Sequence, residues 1–170
     1  MNYVTEPLNA DHDRSAFSCG DEAIDRFIRT QASKHMKKSH ASVVFVFSDE
    51  KKRVRAFYTL SANGIPYNEI PAVLRKIVPQ YKSLPVTLIG QLAVDTEFQN
   101  NKLGTRILMD ALVRSYDLAA GSIGSIAVVV DPANSHVAKW YKKFGFIELP
   151  DQSRLFIPMK TIDDLFSPKK

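Results

Sequence analysis

Apolar side chains recur at helical spacing early in the chain, over residues 21–38. The apolar stripe consists of Ile24, Phe27, Ile28 and Ala32. Two acidic residues, Asp21 and Glu22, open the segment, where they suit the positive end of a helix dipole. At about 100° per residue, three basic side chains fall nearly opposite Ile24 and Ile28: Arg26, Arg29 and Lys37. The pattern predicts a first helix with a basic, outward-facing side.

Two runs of β-branched and aromatic residues follow, over residues 43–47 and 54–60. A short polar and charged turn separates them, and this arrangement predicts an antiparallel hairpin. The next segment, residues 65–82, contains several prolines. It predicts an irregular connection with a short helix near residues 72–77.

A strand, a helix and a second strand are predicted in the middle of the chain. The apolar run over residues 86–95 leads through a polar loop into a helical stripe over residues 103–120, which ends at Gly121. Residues 126–130 are apolar at every position, as in a central parallel strand that is covered on both faces. The order predicts a right-handed crossover unit.

The last predicted elements are a helix over residues 135–144, with Gly145 as its stop, and a strand over residues 153–159. With the earlier elements they predict an α/β fold that is built on a mixed sheet. We expect one domain over residues 1–166 and a short tail at 167–170.

Composition narrows the class of protein. The chain has 170 residues, of which 45% are hydrophobic, and its 23 Lys and Arg against 18 Asp and Glu give a net charge of +5. These values exclude a disordered chain and favour polyanionic partners or substrates, although a slightly basic solvated surface explains the charge equally well. The longest apolar run, residues 43–47, is far shorter than the ~20 residues of a membrane span. With a lone cysteine and no signal-peptide pattern, we expect a cytoplasmic protein without a membrane association.

The loop before the predicted central helix is a candidate phosphate site. The first amides of a helix are unpaired and carry about half a positive charge, so a pyrophosphate can bind there. Gly104 permits close approach of a ligand, Thr105 adds a hydroxyl, and Lys102 and Arg106 add positive charge. An ordinary polar loop with a glycine is the alternative for so short a pattern.

Tyr141, on the next predicted helix, is a candidate proton donor. A neutral phenol of pKa about 10 can protonate a departing thiolate of similar basicity. The alternative is that Tyr141 is a core aromatic residue at helical spacing.

Both patterns together resemble the GNAT (Gcn5-related) acyl-CoA N-acyltransferases. The family's phosphate-loop motif matches residues 99–104, and its later aromatic signature matches residues 140–146. The resemblance is closer still to the GNAT toxins of type II toxin-antitoxin modules, through residues 17–28, 90–95 and 155–162. Two residues depart from the pattern. Lys102 stands where the loop's first glycine is expected, and Gln91 stands where these toxins usually carry arginine.

The resemblance implies a twisted mixed sheet whose central parallel strands, the fourth and fifth, splay around acetyl-CoA, with helices on its faces. It also implies that Tyr141 is the general acid, that pyrophosphate binds the amides of residues 101–105, and that pantetheine pairs with residues 92–94. No metal is expected. The implied cofactor-binding residues are Leu92, Ala93, Val94, Gln99, Asn100, Asn101, Lys102, Leu103, Gly104, Thr105 and Asn134.

The toxin resemblance implies that the acceptor is the α-amine of aminoacyl-tRNA. An α-amine has a pKa of about 7.7–8.0, and an ester on the same carbon lowers it, so a strong general base is unnecessary. Asp95 and Glu97 remain possible water-mediated bases, although a structural role for Asp95 is favoured. His136 fits a solvated helix position, and Cys19 fits a small buried group near the first helix rather than a nucleophile.

A tRNA is bound largely through its phosphates, which requires a basic surface. The candidate residues are Arg26, Arg29, Lys34, Lys37, Lys38, Lys142 and Lys143. The resemblance further implies a cognate antitoxin, typically of the ribbon-helix-helix type, and a homodimer. Two alternatives remain: an acetyltransferase for a protein N-terminus, a polyamine or another small amine, and a catalytically weak relative that acts by binding alone.

Overall fold

The computed structural model describes residues 2–150 and 153–168 of the chain. The strands found there are β1 (Glu6–Pro7), β2 (Val43–Ser48), β3 (Val54–Pro66), β4 (Ser83–Val94), β5 (Ala127–Val130), β6 (Ile147–Glu148) and β7 (Leu155–Pro158). They form a mixed sheet in the order β1-β2-β3-β4-β5-β7-β6, in which β4 and β5 run parallel. The predicted α/β class, the antiparallel hairpin and the parallel arrangement of the two central strands are confirmed.

Helices flank this sheet. The α-helices of the described residues are α1 (Glu22–Arg26), α2 (Ala32–Lys34), α3 (Ala72–Arg75), α4 (Leu103–Gly121), α5 (Ser135–Lys142) and α6 (Met159–Phe166). Short 3₁₀ turns occur at Tyr67–Glu69 and Thr96–Phe98. None of the helices in residues 2–150 and 153–168 has the length and apolar character needed to cross a membrane.

The chain divides into two compact units. Unit 1 consists of the chain up to Ser61 together with Ile89–Ala111, and unit 2 consists of Ala62–Leu88 together with the chain from Leu112 onward. Each unit has its own buried apolar cluster. The cluster of unit 1 contains Leu8, Phe17, Phe27, Ile28, Ala32, Val44, Val46, Val54, Phe57 and Ala93. The cluster of unit 2 contains Ile65, Ile70, Leu84, Val86, Ala127, Val129, Leu149 and Phe156.

The predicted first helix is an alternation of α-helical and π-helical turns. Asp21 caps its start, because the carboxylate accepts hydrogen bonds from the main-chain nitrogens of Ala23 and Ile24. The π-helical turns Phe27–Gln31 and His35–Ser39 follow α1 and α2. Each π turn contains more than 3.6 residues, so positions beyond it rotate away from an ideal helical wheel.

The expectation that Arg29 faces outward is wrong. Arg29 is half-buried, and both its Nε, at 2.9 Å, and its Nη2 donate hydrogen bonds to the main-chain oxygen of Phe17. Arg26 and Lys37 are exposed as expected. The guanidinium of Arg29 therefore stabilises the loop before α1 inside unit 1.

The hairpin of unit 1 has the predicted antiparallel pairing, with Phe45 opposite Tyr58, and their rings stack with centroids 5.2 Å apart. β3 continues to Pro66, beyond the predicted end at residue 60. The buried Tyr58 hydroxyl donates to Asp110 Oδ2 at 2.7 Å, and the Thr5 hydroxyl donates to the same oxygen at 2.5 Å. This network joins the start of the chain, β3 and α4.

In unit 2, the main-chain nitrogen of Ile126 donates to the oxygen of Pro85 at 2.9 Å, and β5 pairs antiparallel with β7. The helix α5 ends at Lys142, two residues before the predicted end, and Gly145 then takes a φ of +96°. A side chain there would be strained, and its Cβ would lie 3.3 Å from Thr161 Cγ2.

Three elements are missing from the prediction: β1, β6 and α6. The predicted strand over residues 153–159 is the shorter β7, and α6 begins at Met159. Helical structure therefore reaches the end of the predicted domain at residue 166. Of the tail, Lys169 and Lys170 lie outside the described residues, and the domain boundaries remain a prediction.

Candidate active site

The end of β4 is held by a buried carboxylate. Asp95 is 4% exposed, and its oxygens accept hydrogen bonds from the main-chain nitrogens of Glu97 at 3.0 Å and Ser18 at 3.3 Å. The Thr96 nitrogen donates to the Ser18 oxygen at 2.8 Å. These bonds support the structural role that the sequence favours for Asp95.

Glu97, the other possible base, forms an ion pair. Its Oε2 lies 3.1 Å from Arg55 Nη1, and the same guanidinium contacts Asp49 at 3.0 Å and lies 4.6 Å above the Phe98 ring. The Arg55 side chain is only 10% exposed, whereas that of Glu97 is 72% exposed. Glu97 thus neutralises a mostly buried cation at the rim of unit 1.

Gln99, the first residue of the loop motif, turns back toward the strand. Its side-chain nitrogen Nε2 donates to the main-chain oxygens of Val94 at 2.9 Å and Cys19 at 3.0 Å. These two hydrogen bonds join the loop to the end of β4 and to the segment before α1. In this structure Gln99 positions the loop.

The loop that follows adopts an unusual backbone geometry. Asn100 has a φ of +66° and Lys102 a φ of +58°, in the left-handed region that glycine adopts readily. The Lys102 oxygen accepts a hydrogen bond from the Arg106 nitrogen at 3.1 Å, so Lys102 stands at the start of α4. Lys102 therefore takes the geometry expected of the motif glycine, with a lysine side chain.

The surroundings of the loop fit an anionic ligand. Asn100, Asn101 and Lys102 are exposed, and the first turn of α4 contains no acidic residue. Gly104 and Thr105 are half-buried, whereas Leu103 is buried. On β4, Leu92 and Val94 are half-buried and Ala93 is buried.

One residue just before this strand segment was not predicted as a site residue. The main-chain nitrogen of Gln91 donates to the Thr59 hydroxyl oxygen at 3.0 Å, and a Cβ at Gly90 would lie 3.0 Å from the same oxygen. Gln91 Oε1 is buried and has no hydrogen-bond partner among the described residues. The sequence gives no indication that Gln91 has a buried unpartnered oxygen, apart from its position where the GNAT toxins usually carry arginine.

Unit 2 contains the other predicted residues. Asn134 caps α5, because its Oδ1 accepts from the Val137 nitrogen at 2.9 Å. Tyr141 lies on α5 and is 6% exposed, and its ring makes edge-to-face contacts with Trp140 at 4.9 Å and Phe146 at 5.2 Å. Burial raises the pKa of Tyr141 to about 12, so the hydroxyl is protonated at neutral pH. Unit 1 brings together residues 92–94, the loop and the start of α4.

The predicted basic residues have different surroundings. Arg26, Lys34, Lys37 and Lys38 are exposed in unit 1, and Lys143 is exposed in unit 2. The Lys142 ammonium forms an ion pair with Glu148 at 2.6 Å, and Arg29 bonds to Phe17 as described above. The exposed cations of the first helical segment are therefore Arg26, Lys34, Lys37 and Lys38.

The remaining reactive side chains have structural surroundings. Burial raises the pKa of Cys19 to about 11, which makes it a poor nucleophile. His12 is buried 2.7 Å from Glu6 Oε1, and His136 is exposed on α5. Within the described part of the chain, no group of His, Cys, Asp or Glu is arranged to hold a metal ion.

Comparisons with known proteins agree with this picture. The model of the acetyltransferase (GNAT) family matches residues 72–146. A "Probable toxin TacT" from Sinorhizobium fredii is 29% identical over 95% of this chain and 94% of its own length. A "tRNA-acetylating toxin" from Mycobacterium tuberculosis is 30% identical over 87% of each chain. The solved structure of AtaT complexed with acetyl-methionyl-tRNAfMet is 26% identical, with a TM-score of 0.86 over 98% of this chain and all of that one.

Proposed function

The chain belongs to the GNAT family of acetyltransferases, and from that membership we propose that it transfers an acetyl group from acetyl-CoA to the α-amine of an aminoacyl-tRNA. Acetylation of that amine would block its use in translation, so the protein would act as a toxin. The observation that carries this proposal is the similarity of most of the chain to a tRNA-acetylating toxin.

The loop before α4 would hold the pyrophosphate of acetyl-CoA. The main-chain nitrogens at the start of this 19-residue helix, together with the positive charges of Lys102 and Arg106, would form a donor set that suits an anion. The edge of β4 at Leu92 and Val94 would pair with pantetheine. When bound, acetyl-CoA supplies the activated thioester carbonyl.

Tyr141 would act on the leaving sulfur. In the overall transfer an N–C bond forms, the C–S bond breaks, the amine loses one proton and the sulfur gains one. Because the Tyr141 pKa is raised to about 12, the hydroxyl remains a hydrogen-bond donor throughout the neutral range. Proton transfer to a thiolate is then less favourable than from an ordinary phenol, so stabilisation of the developing negative charge is the main role.

The acceptor amine would need no strong base. An α-amine of pKa about 7.7–8.0 that is lowered further by an ester is substantially unprotonated at neutral pH. The hydrogen bonds of Asp95 and the ion pair of Glu97 give both carboxylates structural roles. A lysine acceptor, with a pKa of about 10.4, would require a general base. Asp95 and Glu97 are poorly placed for that role because both already have structural partners.

The exposed cations of the first helical segment would contact tRNA phosphates. Arg26, Lys34, Lys37 and Lys38 present four positive charges on one short stretch of unit 1. Lys143 would add a charge at the end of α5. Arg29 is left out of this set because its guanidinium is bonded to Phe17.

The proposed toxin function also implies a protein partner and a cellular location. The relatives are named toxins, and the resemblance of this chain to them implies a cognate antitoxin that covers the site. A ribbon-helix-helix antitoxin, a homodimer and a cytoplasmic location complete the proposal.

The proposal is tested by offering labelled acetyl-CoA and four acceptors in parallel: charged total tRNA, deacylated tRNA, spermidine and a peptide with a free N-terminus. Label on charged tRNA alone supports the toxin chemistry. Label on the peptide or on spermidine would show instead that the protein is an acetyltransferase for other amines. Binding of acetyl-CoA without transfer to any acceptor supports a role in binding alone.

A further inference from the structure

One buried side-chain oxygen lacks a partner. Among the residues that the structure describes, Gln91 Oε1 is the buried side-chain nitrogen or oxygen atom for which no hydrogen bond is formed. Such an acceptor destabilises the folded state, since it loses water without gaining a donor. Buried polar groups are satisfied in the great majority of cases, so an exception of this kind points to a donor that arrives from outside the fold.

The neighbours of Gln91 fix its backbone. Its nitrogen donates to the Thr59 hydroxyl at 3.0 Å, and a Cβ at position 90 would lie only 3.0 Å from the same oxygen, a tight contact that glycine avoids. Gln91 as a whole is half-buried, but Oε1 itself is shielded from solvent, so the carboxamide would have to turn about the Cγ–Cδ bond to present this oxygen to a ligand. It directly precedes Leu92, the first residue of the strand edge to which the proposed function assigns pantetheine.

The orientation of Gln91 follows from strand geometry. Side chains two residues apart on a strand point to the same face, so Gln91 shares the face of Ala93. Ala93 belongs to the buried cluster that also contains Phe27 and Ile28 of the first helical segment. The unpartnered oxygen therefore lies on the side of β4 that faces the segment with the exposed cations.

We propose that Gln91 recognises the acceptor: its carboxamide oxygen accepts a hydrogen bond from an N–H of the attacking amine. This inference rests on the proposed function. A neutral amine has N–H groups to donate as well as the lone pair that attacks the thioester carbon, and a hydrogen bond to Gln91 would orient that lone pair. An arginine at this position offers donors only, so it cannot make this contact.

The test compares Gln91→Leu and Gln91→Glu with wild type in steady-state transfer from acetyl-CoA to charged total tRNA, and Gln80→Leu, at an exposed position, is the matched control. For Gln91→Leu we expect a rise of about tenfold in the KM for charged tRNA, a KM for acetyl-CoA within about twofold of wild type, and an unchanged or higher melting temperature. A structural role would instead lower the melting temperature.

Gln91→Glu gives an independent signature. A carboxylate next to the amine favours its charged form, so the rise of kcat with pH should move to a pH about 1 higher between pH 5.5 and 8. An unmoved profile, or a KM for charged tRNA in Gln91→Leu equal to that of wild type, overturns the inference. Absence of transfer to charged tRNA by wild type itself removes the proposed function instead, so the two failures are distinguishable.

Discussion

The side-chain nitrogen Nε2 of Gln99 lies 2.9 Å from the main-chain oxygen of Val94, the last residue of β4. The same nitrogen lies 3.0 Å from the oxygen of Cys19. A side chain that was assigned to ligand binding thus joins the phosphate loop to the strand before it and to the segment before α1. The geometry of the loop depends on a donor at position 99.

Gln99→Glu should disturb this loop. The substitution removes the donor and places a carboxylate next to two carbonyl oxygens, so we expect a loss of about 1–3 kcal/mol in the free energy of unfolding and a rise of about tenfold in the KM for acetyl-CoA. Urea unfolding and initial rates measure the two effects. Gln80→Glu is the control, and if both variants behave like wild type, Gln99 does not position the loop.

Replacement of Lys102 by glycine should not destabilise the fold. Its φ of +58° is disfavoured for a residue with a side chain, so Lys102→Gly should raise the free energy of unfolding by up to about 1 kcal/mol. Asn100→Gly should have a smaller effect, since asparagine tolerates the left-handed region. Calorimetric binding of acetyl-CoA to Lys102→Gly and Lys102→Ala separates two effects on affinity, the backbone conformation at position 102 and the lysine charge. Weaker stability in Lys102→Gly would contradict the assigned geometry.

Tyr141→Phe should separate chemistry from folding. The buried ring contacts with Trp140 and Phe146 are retained, so we expect the free energy of unfolding to change by less than about 1 kcal/mol and acetyl-CoA binding to persist. The loss of the positioned hydroxyl should lower kcat by about 10²-fold or more. Single-turnover transfer to charged tRNA measures this. A kcat near that of wild type would show that water or another group, and not Tyr141, stabilises the charge that develops on the leaving sulfur.

The raised pKa of Tyr141 also affects stability at high pH. In the unfolded chain Tyr141 ionises near pH 10, whereas in the folded protein it keeps its proton until about pH 12. Its contribution is fully present below pH 10 and is lost as the pH rises toward 12, by about 2–3 kcal/mol. The difference in unfolding free energy between wild type and Tyr141→Phe, followed from pH 8 to 12, should show this decline. A constant difference would place the phenol in contact with water.

The basic residues should fall into two groups. Lys34→Glu with Lys37→Glu should raise the KM for charged tRNA several-fold and reduce its dependence on salt, while stability is unchanged. Arg29→Glu should instead lower the free energy of unfolding by about 1–3 kcal/mol, because Phe17 loses its hydrogen bonds. Kinetics at three salt concentrations and urea unfolding test this, with Lys51→Glu as the control. An unchanged KM in the double variant would remove this surface from tRNA binding.

Long apolar patterns predicted most of the fold. Three patterns were long enough to recognise: the two runs of the hairpin, the continuous apolar strand β5 and the apolar stripe of α4. Each buries many side chains, so apolar residues recur in the sequence with the spacing of a strand or of a helix. β1 and β6 have two residues each, which is too short for any period. α6 has apolar residues at helical spacing after Pro158, so the sequence does contain a signal for this helix. The prediction missed it because it assigned residues 153–159 to a strand and no element to the residues that follow.

The site was harder to predict for a physical reason. A wheel of 100° per residue describes an α-helix, whereas Arg29 lies within the π turn Phe27–Gln31 and its guanidinium bonds to the main-chain oxygen of Phe17. The roles of Gln99 and Gln91 depend on contacts with Cys19 and Thr59, which lie 80 and 32 residues away in the chain. Such contacts leave no local pattern. The loop and Tyr141 were predicted because residues 99–104 and 140–146 form short local motifs that resemble those of the GNAT family.

The central claim, that the acceptor is the α-amine of an aminoacyl-tRNA, is tested most directly by the identity of the acetylated product. Wild-type protein is incubated with labelled acetyl-CoA and charged total tRNA, the ester is cleaved with mild alkali, and the released compounds are identified by mass spectrometry. We expect the label in an N-acetyl amino acid that is acetylated on its α-nitrogen, and no label when the tRNA is deacylated beforehand. Label that remains on the tRNA after cleavage, or that appears equally with deacylated tRNA, would contradict the account.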